Sequence, residues 1–118
     1  VKVIIAGSRS FDNYKMLKAL CDIILSRKDD IEVVSGGARG ADLLGERYAK
    51  EKGYPIKRFN ADWDNYGKAA GYKRNAEMAA YADGLIVFWD GVSKGSKHMI
   101  DLARKNKLKV RVMHFSHY

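Results

Sequence analysis

Glu32-Val33-Val34-Ser35-Gly36-Gly37-Ala38-Arg39-Gly40-Ala41-Asp42 is the stretch on which the fold turns. A short β-rich run, Glu32 to Ser35, breaks into a glycine-rich loop, and a helical pattern follows from Ala41 to Lys52 with Ala41, Leu44 and Tyr48 on one face. Gly53 supplies a left-handed stop, and Pro55 forbids continuation. Strand, tight loop and helix in this order make the first part of a parallel crossover unit.

The same grammar repeats on both sides. β-rich runs occur at Val3 to Ala6, Ile56 to Asn60, Leu85 to Trp89 and Val110 to His114, each separated by a segment with helical character. The first helical segment puts Leu17, Leu20, Cys21 and Ile24 on one face, turns Lys15, Lys18 and Asp22 elsewhere, and has Asp12 or Asn13 as its cap. The third runs from about Tyr72 to Tyr81 and packs Met78, Ala79 and Ala82; the fourth, from about Ser96 to Lys107, offers Met99, Ile100 and Ala103. Strands alternating with helices predict an α/β fold: a single-domain, three-layer α/β/α Rossmann-like architecture over residues 1–118, with a five-stranded parallel sheet of order 3-2-1-4-5.

Composition limits the function classes. The chain has 118 residues, 47% of them hydrophobic, which is ordinary for one globular core. Its apolar runs fall far short of the roughly 20 residues that cross a bilayer, and it opens on a strand-like run rather than a secretory leader, so the cytoplasm is the expected location and no membrane partner is expected. The lone Cys21 cannot staple the fold and reads as a small buried hydrophobe. The histidines, His98, His114 and His117, lack a zinc spacing and a completing cluster; no metal and no cofactor are expected. Lys and Arg number 22 against 14 Asp and Glu, a formal +8 that favours anionic partners. Much of the excess, Arg104, Lys105, Lys107, Lys109 and Arg111, reads either as a solvated face or as a nucleotide or nucleic-acid footprint.

In a doubly wound sheet the ligand crevice lies beyond the carboxyl ends of the strands, where the winding reverses. Strand 1 runs there into Gly7-Ser8-Arg9-Ser10, strand 2 into Gly36-Gly37-Ala38-Arg39-Gly40-Ala41-Asp42, and strand 4 into Asp90-Gly91 followed by Lys94-Gly95-Ser96. Glycines let backbone N–H groups approach an anion, the next helix terminus adds partial positive charge, and Arg9, Arg39 and Lys94 add full charges. Glycines that merely permit tight turns are the alternative for any one loop, but three such loops at one edge favour phosphate contact. Neither the Walker spacing nor G-x-G-x-x-G is present, which disfavours a P-loop nucleotidase and an ordinary dinucleotide oxidoreductase. Between strand 3 and the third helix, Trp63 to Asn75 mixes aromatics, glycines and bases; Arg74 and Asn75 are read as opening that helix, with Arg74 on a ligand or paired with Asp62, Asp64 or Glu77. Trp63 is a candidate ring platform whose alternative is packing. Asp42, Asp62, Glu77 and Asp90 are the candidate acid or base residues, with Asp42 or Asp90 the expected activator of water and Asp42 alternatively pairing with Arg39 or stabilising the first helical turn.

Gly7-Ser8-Arg9, Ser35 to Asp42, the Trp63 to Asn75 block and Ala82-Asp83 through Lys94-Gly95-Ser96 together resemble the SLOG superfamily, nearest its single-domain YspA-type branch, also called YAcAr. The resemblance implies a nucleotide-derived small-molecule ligand, ADP-ribose-like molecules included, and a homodimer. Two relatives imply competing functions. LOG-type phosphoribohydrolases cleave an N-glycosidic bond; Arg74-Asn75 is similar to their basic helix start and Gly95-Ser96 falls on their later signature, but Met99 stands where their glutamate is found. DNA-processing protein A, similar through Ser35 to Asp42 and Arg74-Asn75, binds single-stranded DNA. The resemblance therefore leaves the activity open between binding, N-glycosidic cleavage and single-stranded DNA binding, with Gly7, Ser8, Arg9, Gly36, Gly37, Arg39, Gly40, Trp63, Arg74, Asn75, Lys94, Gly95 and Ser96 as the expected ligand contacts.

Overall fold

The computed structural model describes residues 1–116, so His117 lies outside the described residues. The chain runs β1 (Lys2–Gly7), α1 (Tyr14–Leu25), β2 (Glu32–Ser35), α2 (Ala41–Lys52), β3 (Ile56–Arg58), α3 (Trp63–Tyr66), a single 3-10 turn (Gly67–Ala69), α4 (Ala70–Tyr81), β4 (Gly84–Trp89), α5 (Lys94–Lys105) and β5 (Lys109–His114). All strand pairs are parallel and the order is β3-β2-β1-β4-β5, as the alternation predicts.

Alternation of side chains across the pleat sorts the core into two layers. Val3 and Ile5 of β1, with Val33, Ile86 and Phe88 of its neighbours, face α1 and α2, where they meet Leu17, Cys21, Leu25, Tyr48 and Ala49. Ile4 and Ala6, with Val34, Leu85 and Val87, face α4 and α5, where they meet Met78, Ala79, Met99, Ile100 and Ala103. The central strands β1 and β4 are buried on both sides, which is why they read as unbroken apolar runs; edge strand β5 is only partly covered. The helices change sides of the sheet after β3, and the reversal leaves a crevice at the carboxyl ends of β1 and β4.

Local chemistry corrects several boundaries. The Asn13 side chain caps α1 by accepting from the Met16 N–H, which settles the choice between Asp12 and Asn13. Gly53 ends α2 at φ +75 as expected. β3 stops at Arg58 instead of Asn60, although the Phe59 N–H still bonds the Ser35 carbonyl at 2.8 Å. Asp62 caps α3 through Asn65, and the chain then turns into α4 at Ala70; Arg74 and Asn75 consequently sit one turn inside that helix rather than at its start. α5 begins at Lys94, two residues before the expected Ser96, and its final turn carries Arg104 and Lys105 against the helix dipole. Lys107 and Lys109 follow at the amino-terminal edge of β5, across the sheet from the crevice, so this basic cluster and the three loops cannot share one small-molecule footprint. Among the described residues no helix is long and apolar enough to cross a membrane.

Candidate functional site

The loops after β1, β2 and β4 converge on a cleft of about 580 Å³, a size in the range of small-molecule sites. Gly7, Ser8, Arg9, Arg39, Asp42, Arg74, Asn75, Asp90, Gly95 and Ser96 all line it. A second, adjoining cleft takes Gly36, Gly37 and Trp63 into its wall. Lys94 opens α5 and Gly40 precedes α2, but neither lines either of these two clefts.

Gly40 acts at one remove. At φ +83, a Cβ there would stand 2.5 Å from the Ser8 and Arg9 carbonyl oxygens, so only glycine lets the β1 and β2 loops touch. Neither Gly40 before α2 nor Ser93 before α5 gives its helix a side-chain cap. Ser93 Oγ is engaged elsewhere, 3.0 Å from Ser8 Oγ and 3.0 Å from Ser96 Oγ, and this hydroxyl chain ties the β1 loop to the start of α5. Two helix amino termini thus flank one cleft and lend it partial positive charge, although the Ala41 and Leu43 N–H groups of α2 already bond the Ser8 and Ala38 carbonyls.

Arg74 reaches from α4 across the cleft, and its Nη1 donates to the Gly36 carbonyl at 3.0 Å. Its Nε is buried without a hydrogen-bond partner. Burial pushes the guanidinium's pKa down, the nearby Asp42 charge pulls it back up, and Arg9 lowers it again; an arginine nevertheless stays charged. Asp42 is buried in the first turn of α2, where its carboxylate accepts from the Ala38 N–H at 3.3 Å. Burial raises its pKa to about 6, against the opposing pull of Arg74 and of the Ala38 and Gly7 N–H groups. The partner of Asp42 is therefore the loop backbone and the Arg74 field rather than Arg39, which is exposed. Gly36 lies between the two: a Cβ there would stand 2.7 Å from Asp42 Oδ2 and 3.1 Å from the Arg74 guanidinium carbon.

Asp90 has a different setting. Its Oδ1 accepts from the Val92 and Ser93 N–H groups at 2.9 and 2.8 Å, and these bonds hold its carboxyl below the usual carboxylate range. It shapes the turn into α5, and of the two candidate carboxylates only Asp42 has a pKa near neutrality. Asn75, buried, places Nδ2 3.4 Å from the Gly95 carbonyl and 3.3 Å from His98 Nδ1, joining α4 to α5. Met99 is buried in the cleft floor as part of the apolar layer under α5, where it supplies no acid or base.

Residues that the sequence reading passed over support the β2 loop from behind. Ser35 Oγ donates to Glu46 Oε2 at 2.6 Å and accepts from the Gly37 N–H at 3.0 Å. Arg58 closes on the same carboxylate, Nε to Oε2 at 2.9 Å and Nη2 to Oε1 at 2.5 Å. Ser93 is legible as a polar residue at the N-cap position just before Lys94-Gly95-Ser96, although its side chain bonds Ser8 and Ser96 instead, whereas Glu46 and Arg58 carry no local signal because they meet only once α2 packs on the sheet.

Comparison with known proteins agrees with this architecture. The family model described as YspA, cpYpsA-related SLOG family (YAcAr) matches residues 1–66. The Gene 61 protein of Mycobacterium phage D29 is 37% identical over 116 residues, which cover 92% of this chain and 93% of that protein. DNA processing protein A (DprA) from Streptococcus pneumoniae has the same fold at a TM-score of 0.78 and 20% identity; the match covers 98% of this chain but spans only about half, 51%, of that one.

Proposed function

The chain belongs to the YspA, cpYpsA-related SLOG family, and from that premise we propose that it binds a nucleotide or other phosphoribosyl-containing small molecule in the cleft at the carboxyl ends of β1, β2 and β4. The observation that carries this reading is Arg74: a half-buried cation, anchored on the Gly36 carbonyl, with an unpartnered Nε beside two helix starts that lack side-chain caps. Phosphate is the group such donors recognise best, since a guanidinium fork and oriented backbone N–H groups match its oxygens. Arg9 and Arg39 add charge at the mouth. Ser8 and Ser96 contribute through the hydroxyl chain that sets the positions of the two loops.

Calorimetry with purine and pyrimidine mononucleotides tests this reading, and Arg74→Ala is expected to abolish whatever binding is found. No binding by any mononucleotide, together with single-stranded DNA binding that weakens steeply with salt, would replace the pocket with a nucleic-acid surface. That alternative draws on the exposed Trp63, Tyr66 and Tyr72 and on Lys73 Nζ lying 4.3 Å from the Tyr66 ring centre.

A hydrolytic reading draws on the place of Asp42 in the wall of the cleft, where burial raises its pKa to about 6. In that version Asp42 takes a proton from a water whose oxygen attacks the ribosyl C1′, the C1′–N bond breaks, and the free base departs with a proton from solvent. Free base and ribose phosphate, measured by chromatography after incubation, would establish cleavage; intact ligand would leave binding alone.

A further inference from the structure

The second cleft has a volume of about 490 Å³ and is walled by Gly36, Gly37, Asn60, Ala61 and Trp63. It shares Arg9, Arg39 and Arg74 with the first cleft, so the three cations stand on the boundary between two spaces instead of at the end of one. Each space falls within the roughly 300–1,000 Å³ of small-molecule sites. A mononucleotide with its phosphate on the arginines would fill one and leave the other open.

Trp63 distinguishes the second space. It is 50% exposed and belongs to neither apolar layer of the core. Trp89 packs against the α5 layer and donates its Nε1–H to the Ser93 carbonyl at 3.0 Å. The Trp63 indole instead reaches back over Gly71, where a Cβ would stand 3.5 Å from its Cη2 and 3.7 Å from Arg74 Nη2. An aromatic ring and a guanidinium, both in the cleft wall, therefore converge over one small residue. A half-exposed indole beside a cation that would hold phosphate is the chemistry that binds a nucleobase by stacking while its phosphate is bound. Asn60, exposed at the same wall, offers amide donors and an acceptor to a base edge.

We infer that the second cleft is a base-binding subsite, and that the ligand has two nucleoside halves joined through phosphates seated on Arg9, Arg39 and Arg74. This inference rests on the anion-binding reading of the first cleft. Calorimetry would compare adenosine and guanosine monophosphates with the corresponding diphosphate-bridged dinucleosides, using the wild-type chain, Trp63→Ala, Trp63→Phe and Arg74→Ala. The bridged compound is expected to bind about tenfold tighter than its mononucleotide, the scale of one stacked base. Trp63→Ala should remove that advantage without changing mononucleotide affinity, and Trp63→Phe should keep most of it. Because Trp63 lies outside both cores, its variants fold, and circular dichroism verifies this. Equal affinities for the two compound classes, or an advantage that survives Trp63→Ala, would overturn the subsite while leaving the first cleft's reading intact. Failure of every compound to bind, or binding indifferent to Arg74→Ala, would overturn both.

Discussion

Arg58 with Glu46 and Arg74 with Asp42 flank the same Gly36-Gly37 turn, yet one pair is closed and the other open. Arg58 lays two N–H groups on the Glu46 carboxylate, which Ser35 also contacts. Burial pushes Glu46 up, but those bonds and the Arg58 charge outweigh it and hold the carboxyl below its usual range. Arg74 and Asp42 make no direct ion pair among the described residues. Each turns to the loop backbone, with the bare α-carbon of Gly36 between them. A pair that closes on itself with two charge-assisted bonds braces its loop, whereas a cation that keeps a buried donor unpartnered has one left for a ligand. On the proposed reading, the difference separates the frame of the β2 loop from the face that would hold a ligand.

Breaking the open pair is expected to have the largest effect. Arg74→Ala should weaken nucleotide binding at least about a hundredfold, in line with the loss of charge-assisted bonds to phosphate. Its thermal midpoint should move by no more than about 3 °C, because the side chain lies outside the apolar core. A loss of binding accompanied by a large drop in midpoint would place Arg74 with the frame instead.

The other half of the open pair gives a pH signature. Asp42 has a folded pKa of about 6 against an ordinary 3.8. The folded state therefore holds the proton more tightly than the unfolded chain, and stability present below about pH 4 is lost as the pH rises towards about 6. The loss is on the order of 3 kcal/mol. Asp42→Asn should flatten a plot of midpoint against pH and be the more stable form at pH 7.5. It should also remove the weakening of anion binding expected as the wild-type carboxyl ionises. A wild-type midpoint that rises between pH 4 and pH 6 while that of Asp42→Asn stays flat would show that Arg74 wins over burial at this site.

The closed pair should answer in stability first. Glu46→Ala is expected to cost about 1–2 kcal/mol, a discounted value because Arg58 can rehydrate at the surface. It should loosen the Ser35 and Gly37 contacts and lower ligand affinity only a few-fold. Arg58→Lys keeps the charge but loses the two-pronged grip, so it should cost less than about 1 kcal/mol by chemical denaturation. If Glu46→Ala abolished binding outright at full stability, the closed pair would belong to the face that holds a ligand and the contrast would fail.

Much of the site could be read before the fold was seen. Gly7, Ser8, Arg9 and Arg39 stand at strand ends, and any doubly wound sheet delivers those ends to one edge. The weaker readings share a cause. Arg74 was placed at a helix start because Trp63 to Ala69 gives no clear period, and the four-residue α3 with its following turn shifted α4 earlier. Asp90 looked equivalent to Asp42 in sequence, but the N–H groups two and three residues on capture its carboxylate. Glu46 and Arg58 were passed over because their partnership spans a helix and a strand that touch only in the folded chain.

What the sequence by itself determined is the alternation of five apolar strands with amphipathic helices, and with it the sheet order and the edge at which the glycine loops gather. The alternation follows from local periodicity, which any stretch of chain carries within itself, and the order from the doubly wound class that the alternation selects. Only the tertiary structure decided which charges are closed and which stay open, because that depends on distances of a few ångströms between groups far apart in the chain. It also divided the space beside Arg74 into two clefts that share Arg9, Arg39 and Arg74. Burial, which raises Asp42 while hydrogen bonds lower Asp90, is a property of the packed molecule and of no residue taken alone.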